Sequence, residues 1–355
     1  MAEDDKPPPR RGFGGEKKPT INDVARLAGV SKKTVSRVIN QSPFVKDATR
    51  EKINAIIAEI GFSPDPQARG LAFRRSFLIG LVYDNPNPQY VVNMQLGMLD
   101  AMRGSGYELV VHPCNRGNPT FLGDFRRFIE RQKLSGVVLT PSVSEDDRVK
   151  AVLDEVGCAY IRIASVPVDE PAHIIVSNDR FGGRAAARHL AELGHTRIAF
   201  ISGPASFRSS HERRGGFEEE LKERGLALPS EYVMQGAYTF ETGLSCAAEL
   251  LKRNPRPTAI FAANDEMAAG VLHAIRRAGL KCPDDVSVVG FDDFQIASSV
   301  WPPLTTVRTP TREIGRMAAE KLIGLDAAEK DLSREAAPAT SPALVVRDST
   351  GPAPR

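Results

Sequence analysis

The sequence predicts an all-α helix-turn-helix head followed by an α/β core of two parallel-sheet lobes. Short helical segments with apolar faces occupy residues 20–61. From residue 77 onward, near-continuous apolar runs of strand length alternate with helical stretches, which is typical of βαβ units whose strands are covered on both faces. About ten such units exceed one open sheet, so two lobes are expected. The length of 355 residues also suits more than one domain.

The net charge of +3 is distributed unevenly along the chain. Residues 1–75 hold 15 Lys and Arg against 9 Asp and Glu, whereas the remainder holds 32 against 35. A basic head on a mildly acidic body indicates a polyanionic partner. A charged, solvated N-terminal arm is the alternative interpretation.

The composition argues against metal sites, secretion and membrane insertion. Cys114, Cys158, Cys246 and Cys282 are too widely spaced for a CxxC pair, a disulfide framework or a zinc site, and the histidines show no HExxH spacing. Residues 1–18 are rich in Pro, Gly and charge and predict a disordered tail without a signal peptide. No apolar run approaches the roughly 20 residues of a membrane span. We therefore expect a reduced, cytoplasmic compartment, no metal, no cofactor and no membrane partner.

Enzyme motifs are also missing from the sequence. A nicotinamide-dependent enzyme needs a GxGxxG turn after its first strand, but the first strand here leads into residues 83–88, which lack that turn. No P-loop, nucleophile elbow or metal motif is present, so we expect no enzymatic activity. A secreted sugar-binding protein would share the core pattern, but it would carry a signal peptide and lack the head.

The head begins with two short helices joined by a tight turn. Thr20, followed three residues later by an acid, is a capping-box-like helix start, and Gly29 is a usual residue at a helix C-terminus. Ser31 then caps a second helix over 32–39. A third helix over 46–60 closes the apolar core. Two short helices in this order are the helix-turn-helix geometry.

The second helix separates apolar from polar side chains. Lys32 and Lys33 lie at its N-terminus, where polar residues reach base edges in the major groove, and a basic side chain best matches guanine. Thr34, Ser36 and Arg37 are placed to contact phosphates. A small helical bundle with a solvated lysine face is the alternative.

Longer motifs in the head resemble the lactose-repressor (LacI/GalR) family of transcriptional regulators. The resemblance covers PTINDVA at 19–25, GVS at 29–31, TVSRVIN at 34–40, TREKI at 49–53 and GFSP at 61–64. It implies that Lys32 and Lys33 select the base sequence and that Arg37 also contacts DNA.

The segment after the head predicts a hinge. Asp65 and Pro66 read as a helix start, but residues 67–72 make a helix too short to persist alone, and Gly70 weakens it by about 1 kcal/mol relative to Ala. The resemblance implies a hinge helix that forms on DNA, with two copies in the minor groove and Leu71 wedged into a base step. A passive linker is the alternative. The residues expected to contact DNA are Thr20, Ser31, Lys32, Lys33, Thr34, Ser36, Arg37, Asn40, Ala68, Arg69 and Leu71.

The remainder of the chain resembles the periplasmic-binding-protein-like core of the same family. Its landmarks include Gly203-Pro204, Asn264-Asp265, VGFDD at 289–293 and PLTTV at 303–307. We accordingly divide the chain into a tail (1–18), a helix-turn-helix domain (19–63), a hinge (64–76) and a core (77–350) with lobes approximately at 77–177 plus 307–327 and 178–306 plus 328–350.

Polar residues that follow strand-like runs predict a binding cleft between the lobes. Asp84, Asn264 and Asp292 all follow such runs, and ligands of open α/β sheets bind at the carboxyl ends of strands. Together with Arg213, they offer the donors and acceptors that suit a polyhydroxylated ligand. Ordinary capping or interlobe bonding is the alternative role for these side chains.

Aromatic side chains and the family resemblance extend this predicted pocket. Tyr90 and Tyr238 could cover the C–H faces of a sugar. The resemblance implies that Arg213, Asn264 and Asp292 touch the effector, and it adds Thr309 and Thr311 at two further pocket positions. The expected effector-binding residues are Asp84, Gln89, Tyr90, Ser209, Arg213, Tyr238, Asn264, Asp292 and Thr309.

These features predict a repressor of carbohydrate-utilisation genes that binds a near-palindromic double-stranded operator. Such an operator needs two heads, so we expect a homodimer formed through the core. A sugar or sugar derivative in the cleft would change operator affinity by a coupling free energy of about 1–3 kcal/mol. A purine-like corepressor remains an alternative, and the sequence leaves the operator and the direction of the response open.

Overall fold

The computed structural model describes residues 19–39, 44–62, 76–327 and 341–354. The chain divides into two units, Met1–Ser76 and Phe77–Arg355. The predicted tail lies outside the described residues, and so does the predicted hinge except for Ser76. The same is true of four residues that are predicted to contact DNA. Those four residues are Asn40, Ala68, Arg69 and Leu71.

The head contains three helices, α1 (Ile21–Ala28), α2 (Lys32–Ile39) and α3 (Asp47–Ile60). Helix α1 starts where the Thr20 backbone N–H donates to the Asp23 carboxylate over 3.0 Å, and it ends at Gly29, whose φ of 68° is left-handed. The buried side chains of the three helices meet in one apolar core. They are Val24, Ala25, Ala28, Val35, Val38, Val45 and Ile53. The predicted helix-turn-helix is confirmed.

The strands of the described core are β1 (Leu78–Tyr83), β2 (Glu108–Pro113), β3 (Gly136–Leu139), β4 (Ala159–Ala164), β5 (Ile174–Val176), β6 (Ile198–Ser202), β7 (Val233–Gln235), β8 (Ala259–Ala262), β9 (Ser287–Asp292), β10 (Thr305–Arg308) and β11 (Ala343–Val345). Its helices are α4 (Pro88–Met102), α5 (Phe121–Gln132), α6 (Asp147–Val156), α7 (Asp179–Glu192), α8 (Arg208–Glu223), α9 (Phe240–Leu250), α10 (Asp265–Arg277), α11 (Gln295–Ser299) and α12 (Thr311–Ala327).

These strands form two sheets, in the orders β2-β1-β3-β4-β5 and β11-β10-β9-β8-β6-β7. All paired strands are parallel except β11, which runs antiparallel to β10. Strands β3 and β8 are buried along their whole length, as expected where helices cover both faces. The predicted architecture of two parallel-sheet lobes is confirmed.

The chain crosses between the lobes more than once. Helix α12 returns to the first lobe, where it packs on α4 and on β3 and β4. Val307 and Arg308 pair with Phe291 and Asp292 in the second sheet. Strand β10 thus continues two residues beyond the lobe boundary predicted after residue 306. The chain therefore returns to the first lobe at residues 309–310.

Helices α7 and α8 approach each other at glycines, and this approach positions part of the cleft. A Cβ added to Gly183 would lie 3.0 Å from the carbonyl carbon of Arg213 and 3.1 Å from the amide nitrogen of Phe217. Only a glycine fits such a backbone contact without moving the helices. The contact holds the helix that carries Arg213 beside the N-terminus of the helix that carries Asp179.

Candidate functional sites in the head and the interlobe cleft

Helix α2 presents a basic face to solvent. Lys32, Lys33 and Arg37 are exposed, and within the described part of the head no ion pair engages them. Ser31 caps the helix, because its hydroxyl oxygen accepts the Thr34 backbone N–H over 3.1 Å and lies 2.9 Å from the Thr34 hydroxyl. The basic side chains are therefore available to a polyanion, whereas the hydroxyls of Ser31 and Thr34 contribute to the helix start.

A buried cavity lies between the two lobes of the core, with a volume of about 40 Å³. The loops that follow β1, β5, β8 and β10 supply much of its wall, at the carboxyl ends of the strands. The cavity is lined by Asn85, Asn87, Tyr90, Pro141, Ser177, Asp179, Phe207, Ser209, Arg213, Tyr238, Asn264, Asp292, Thr309 and Ile314.

Arg213 is the central charged group of this cavity. Its Nε donates to Asp179 Oδ1 over 2.8 Å, its Nη1 donates to the Ala263 carbonyl over 2.6 Å, and its Nη2 lies 3.2 Å from Asp292 Oδ1. The guanidinium also lies 3.7 Å from the centre of the Phe291 ring. Each guanidinium nitrogen therefore makes one contact with a protein oxygen, and two of these contacts hold the carboxylates of Asp179 and Asp292.

The lining of the cavity is acidic, and its charged groups are largely buried. Among its lining residues, Asp179 and Asp292 oppose the single positive charge of Arg213. Burial raises the pKa of Asp292, an effect that the guanidinium offsets in part. Burial also raises the pKa values of Tyr90 and Tyr238, so both phenols stay neutral at physiological pH. The cavity thus offers the neutral hydroxyls of Tyr90 and Tyr238 beside the carboxylates of Asp179 and Asp292.

Two polar atoms of the cavity wall have no hydrogen-bond partner among the described residues. They are Asn87 Nδ2, on a side chain 7% exposed, and Thr309 Oγ1. Asn87 Oδ1 caps α4 by accepting the backbone N–H groups of Gln89 and Tyr90 over 2.9 and 3.2 Å, which fixes its amide group. A buried polar group without a partner costs about 1–3 kcal/mol. Two such atoms at one cavity indicate a place for a ligand with polar groups.

Comparison with known proteins extends over nearly the whole chain. Residues 20–65 match the bacterial regulatory proteins of the lacI family, and residues 187–350 match a periplasmic binding protein-like domain. The HTH-type transcriptional regulator DegA of Bacillus subtilis (strain 168) is 34% identical over 343 residues, which are 94% of this chain and 99% of DegA. This chain belongs to the LacI family. It is a DNA-binding transcriptional regulator, as the resemblance of its head predicted.

Other relatives of this LacI-family regulator agree with that assignment. The HTH-type transcriptional regulator CelR of Thermobifida fusca is 36% identical over 316 residues, covering 86% of this chain and 92% of CelR. Among solved structures, the lac repressor dimer bound to operator and the anti-inducer ONPF has a TM-score of 0.74 at 29% identity, with coverage of 94% and 100%. A CelR–cellobiose complex has a TM-score of 0.70 at 33% identity, with coverage of 93% and 99%.

The cleft of this LacI-family regulator brings together most of the predicted effector-binding residues. Asp84 and Gln89 are not among the residues that line the cavity. Asp84 accepts Nε–H of Arg116 over 2.9 Å and the Ser142 hydroxyl, whereas Gln89 donates its amide to Asn93 over 2.9 Å. The predicted residues that do line the cavity are Tyr90, Ser209, Arg213, Tyr238, Asn264, Asp292 and Thr309.

Sequence reasoning missed Asp179 and Asn87, which also line the cavity. Asp179 follows β5, a strand of three residues that is too short to show periodicity. Asn87 carried a detectable signal, because Asn followed by Pro is a helix start, with Asn as the cap and Pro at the first helical position. Asp265 and Asp293, by contrast, have structural partners. Asp265 accepts from Thr306 and from the Phe294 backbone, and Asp293 pairs with Arg308 and Arg347.

Within residues 19–39, 44–62, 76–327 and 341–354, no helix is long and apolar enough to cross a membrane. In the same ranges, no group of three His, Cys, Asp or Glu side chains could hold a metal ion.

Proposed function

We propose that this LacI-family regulator is a repressor of carbohydrate-utilisation genes whose operator affinity changes when a sugar-like effector binds between its core lobes. The observation that carries this proposal is the buried cavity in which Asn87 and Thr309 keep unpartnered polar atoms. These atoms lie in the same cavity as Arg213 and the two carboxylates that it contacts. The names of its relatives support a carbohydrate effector: one solved relative holds cellobiose, and the Escherichia coli (strain K12) ribose operon repressor is 33% identical.

The chemistry of the cavity wall suits hydroxyl groups. A hydroxyl both donates and accepts, so it can donate to the Asp292 carboxylate while it accepts from the Asn87 amide. Tyr90, Phe207 and Tyr238 supply aromatic surface from both lobes, which suits the C–H faces of a sugar ring. At about 40 Å³ the cavity holds little more than one or two water molecules, so a sugar enters only when the lobes separate.

The head supplies the DNA-reading surface in this proposal. Lys32 and Lys33 would contact base edges in the major groove, and Arg37 would contact the operator beside them. Thr20, Ser31, Thr34 and Ser36 would position the helix on the phosphates, with Asn40 and the hinge residues Ala68, Arg69 and Leu71 adding contacts that the described residues do not include.

A near-palindromic operator requires two heads, so we propose a homodimer in the cytoplasm with no catalytic role. Helix α4 has an exposed apolar stripe that suits pairing with a second copy. Val92, Leu96 and Leu99 recur at helical spacing and are 45%, 41% and 45% exposed.

A thermal-shift screen of the full chain against neutral sugars, sugar phosphates and purines tests this proposal. At 100 times its Kd, an effector adds roughly 2.7 kcal/mol of stability, which is about 5–10 °C for a lobe pair of this size. We expect a neutral sugar to produce such a shift. A shift with purines alone would contradict the carbohydrate assignment.

Matched variants connect that shift to the cavity. Asn87→Ser keeps an oxygen to cap α4 but removes the unpartnered amide nitrogen, and Thr309→Val removes the unpartnered hydroxyl at nearly constant volume. Each should reduce the shift at a fixed sugar concentration. Thr120→Val removes an exposed hydroxyl outside the cavity and should leave the shift unchanged.

A further inference from the structure

We propose that the interlobe cavity selects an uncharged sugar and rejects the phosphorylated or carboxylated form of the same sugar. This inference rests on the proposed function and narrows it to one chemical class of effector. It is carried by the distribution of charge and of uncommitted hydrogen-bonding groups around the cavity.

The cavity has no free cationic group to receive an anion. Proteins bind phosphate and carboxylate groups through arginine nitrogens, lysines or backbone N–H groups that face the ligand. Arg213 is the only cation among the lining residues of the described core, and its Nε, Nη1 and Nη2 are each held by a protein oxygen at 2.8, 2.6 and 3.2 Å. These contacts use three of its five N–H groups, and the two remaining N–H groups lie on nitrogens that already face the Ala263 carbonyl and the Asp292 carboxylate, so an anion that approached them would meet those oxygens.

The fixed charge of the wall opposes an anion directly. Asp179 and Asp292 outnumber Arg213, so the lining residues carry a net charge of −1 when both carboxylates are ionised. All three residues are nearly buried, at 3%, 9% and 8% exposure. Charges interact more strongly in such a water-poor environment than at the surface, so a second negative charge there is strongly disfavoured.

Charged residues at the edge of the cavity do not reverse this balance. Arg116 pairs with Asp84 over 2.9 Å and also donates to the Ser206 carbonyl over 3.3 Å. Arg208 is exposed and acts electrostatically on Glu145, a half-buried acid. Each cation therefore has an acid as its neighbour, and none of the four groups lines the cavity.

The fully buried uncommitted groups of the wall are neutral. They are the Asn87 amide nitrogen and the Thr309 hydroxyl, which have no partner among the described residues. A sugar hydroxyl can accept from the amide and donate to a carboxylate, whereas a phosphate oxygen can only accept. A neutral polyol thus satisfies both kinds of group.

Calorimetric titration of the full chain with matched pairs tests the inference. Suitable pairs are glucose with glucose 6-phosphate, ribose with ribose 5-phosphate, and cellobiose with its 6-phosphate, each at pH 8 and physiological salt. For any pair in which one member binds, we expect the neutral member to bind at least tenfold more tightly. Equal or tighter binding of the phosphorylated member would overturn the inference and leave a sugar effector intact.

Two variants test whether the carboxylates cause the preference. Asp292→Asn removes one negative charge at constant shape and should reduce the affinity ratio within a pair at least threefold. Asp154→Asn makes the same charge change on α6, where the side chain pairs with Lys150 away from the cavity, and should leave the ratio unchanged. The wild-type ratio stands as a test even if Asp292→Asn does not fold. If no pair binds and a purine does, both the carbohydrate assignment and this inference fail.

Discussion

Replacing Gly183 by alanine is expected to destabilise the second lobe, because the added Cβ meets backbone rather than a movable side chain. It would lie 3.0 Å from the Arg213 carbonyl carbon, 3.1 Å from the Phe217 amide nitrogen and closer still to the Arg213 carbonyl oxygen. Ordinary contacts of a Cβ are at least 3.4 Å, so α7 and α8 must separate. Overpacking of this kind costs about 1–3 kcal/mol.

Gly123 offers a matched control for the intrinsic effect of alanine in a helix. Its Cβ would lie 3.5 Å from the end of the Arg127 side chain, which is exposed and can move. Gly123→Ala should therefore stabilise the chain by up to about 1 kcal/mol through helix propensity alone. Because the added Cβ at Gly183 meets backbone, we expect the overpacking cost there in the upper part of its range, about 2–3 kcal/mol, and the same gain reduces it to a net loss of about 1–2 kcal/mol.

Urea denaturation of both variants and of the wild type measures the two changes. The midpoint of Gly183→Ala should fall and that of Gly123→Ala should rise, with the slope m unchanged. Since α8 carries Arg213, Gly183→Ala should also weaken effector binding, whereas Gly123→Ala should not. Equal stabilisation by both alanines would refute the argument that backbone contact fixes these helices.

Three further predictions address the head, the cleft edge and the pH dependence of stability. Lys33→Ala should change the base preference found by selection from a randomised operator library, and an unchanged preference would remove its proposed role. Arg116→Ala removes the donor to the Ser206 carbonyl across the lobes and should weaken effector binding about fivefold by calorimetry, because a net hydrogen bond contributes about 1 kcal/mol; an unchanged Kd would show that the contact does not hold the lobes closed. Burial lowers the pKa of His195, so the unfolded chain binds a proton on this ring more readily than the folded chain does. The free energy of unfolding therefore decreases as the pH falls below about 6.5. His195→Gln should lose less stability than the wild type in urea titrations between pH 6.5 and 5, and parallel pH profiles would contradict this assignment.

The longer elements could be predicted from sequence because their patterns are local. The sequence pattern predicts a helix over 121–132 and strands over 198–202 and 259–262. Helix α5 and strands β6 and β8 have these boundaries, since each is a continuous periodic or apolar segment between turn residues. Strands β7 and β11 cannot be predicted in this way because three residues are too few to show a period.

The candidate site was predictable in its chemistry but not in its partners. The sequence places Asp84 after a strand, where a ligand group is expected, but Arg116 and Ser142 engage its carboxylate from elsewhere in the chain. Conversely, Asp179 gains its importance from Arg213, which lies 34 residues away in sequence. Such pairings depend on tertiary packing and have no local signature.

Operator binding with and without a saturating sugar is the most direct test of the proposed regulation. Fluorescence anisotropy on a near-palindromic operator, selected from a library with the full chain, gives the operator Kd in both conditions. For a sugar that binds in calorimetry, we expect a change of at least fivefold, the lower limit of typical allosteric coupling, and no change in the combined variant Asn87→Ser, Thr309→Val. The same operator Kd for the wild type in both conditions would contradict a regulator controlled through this cavity.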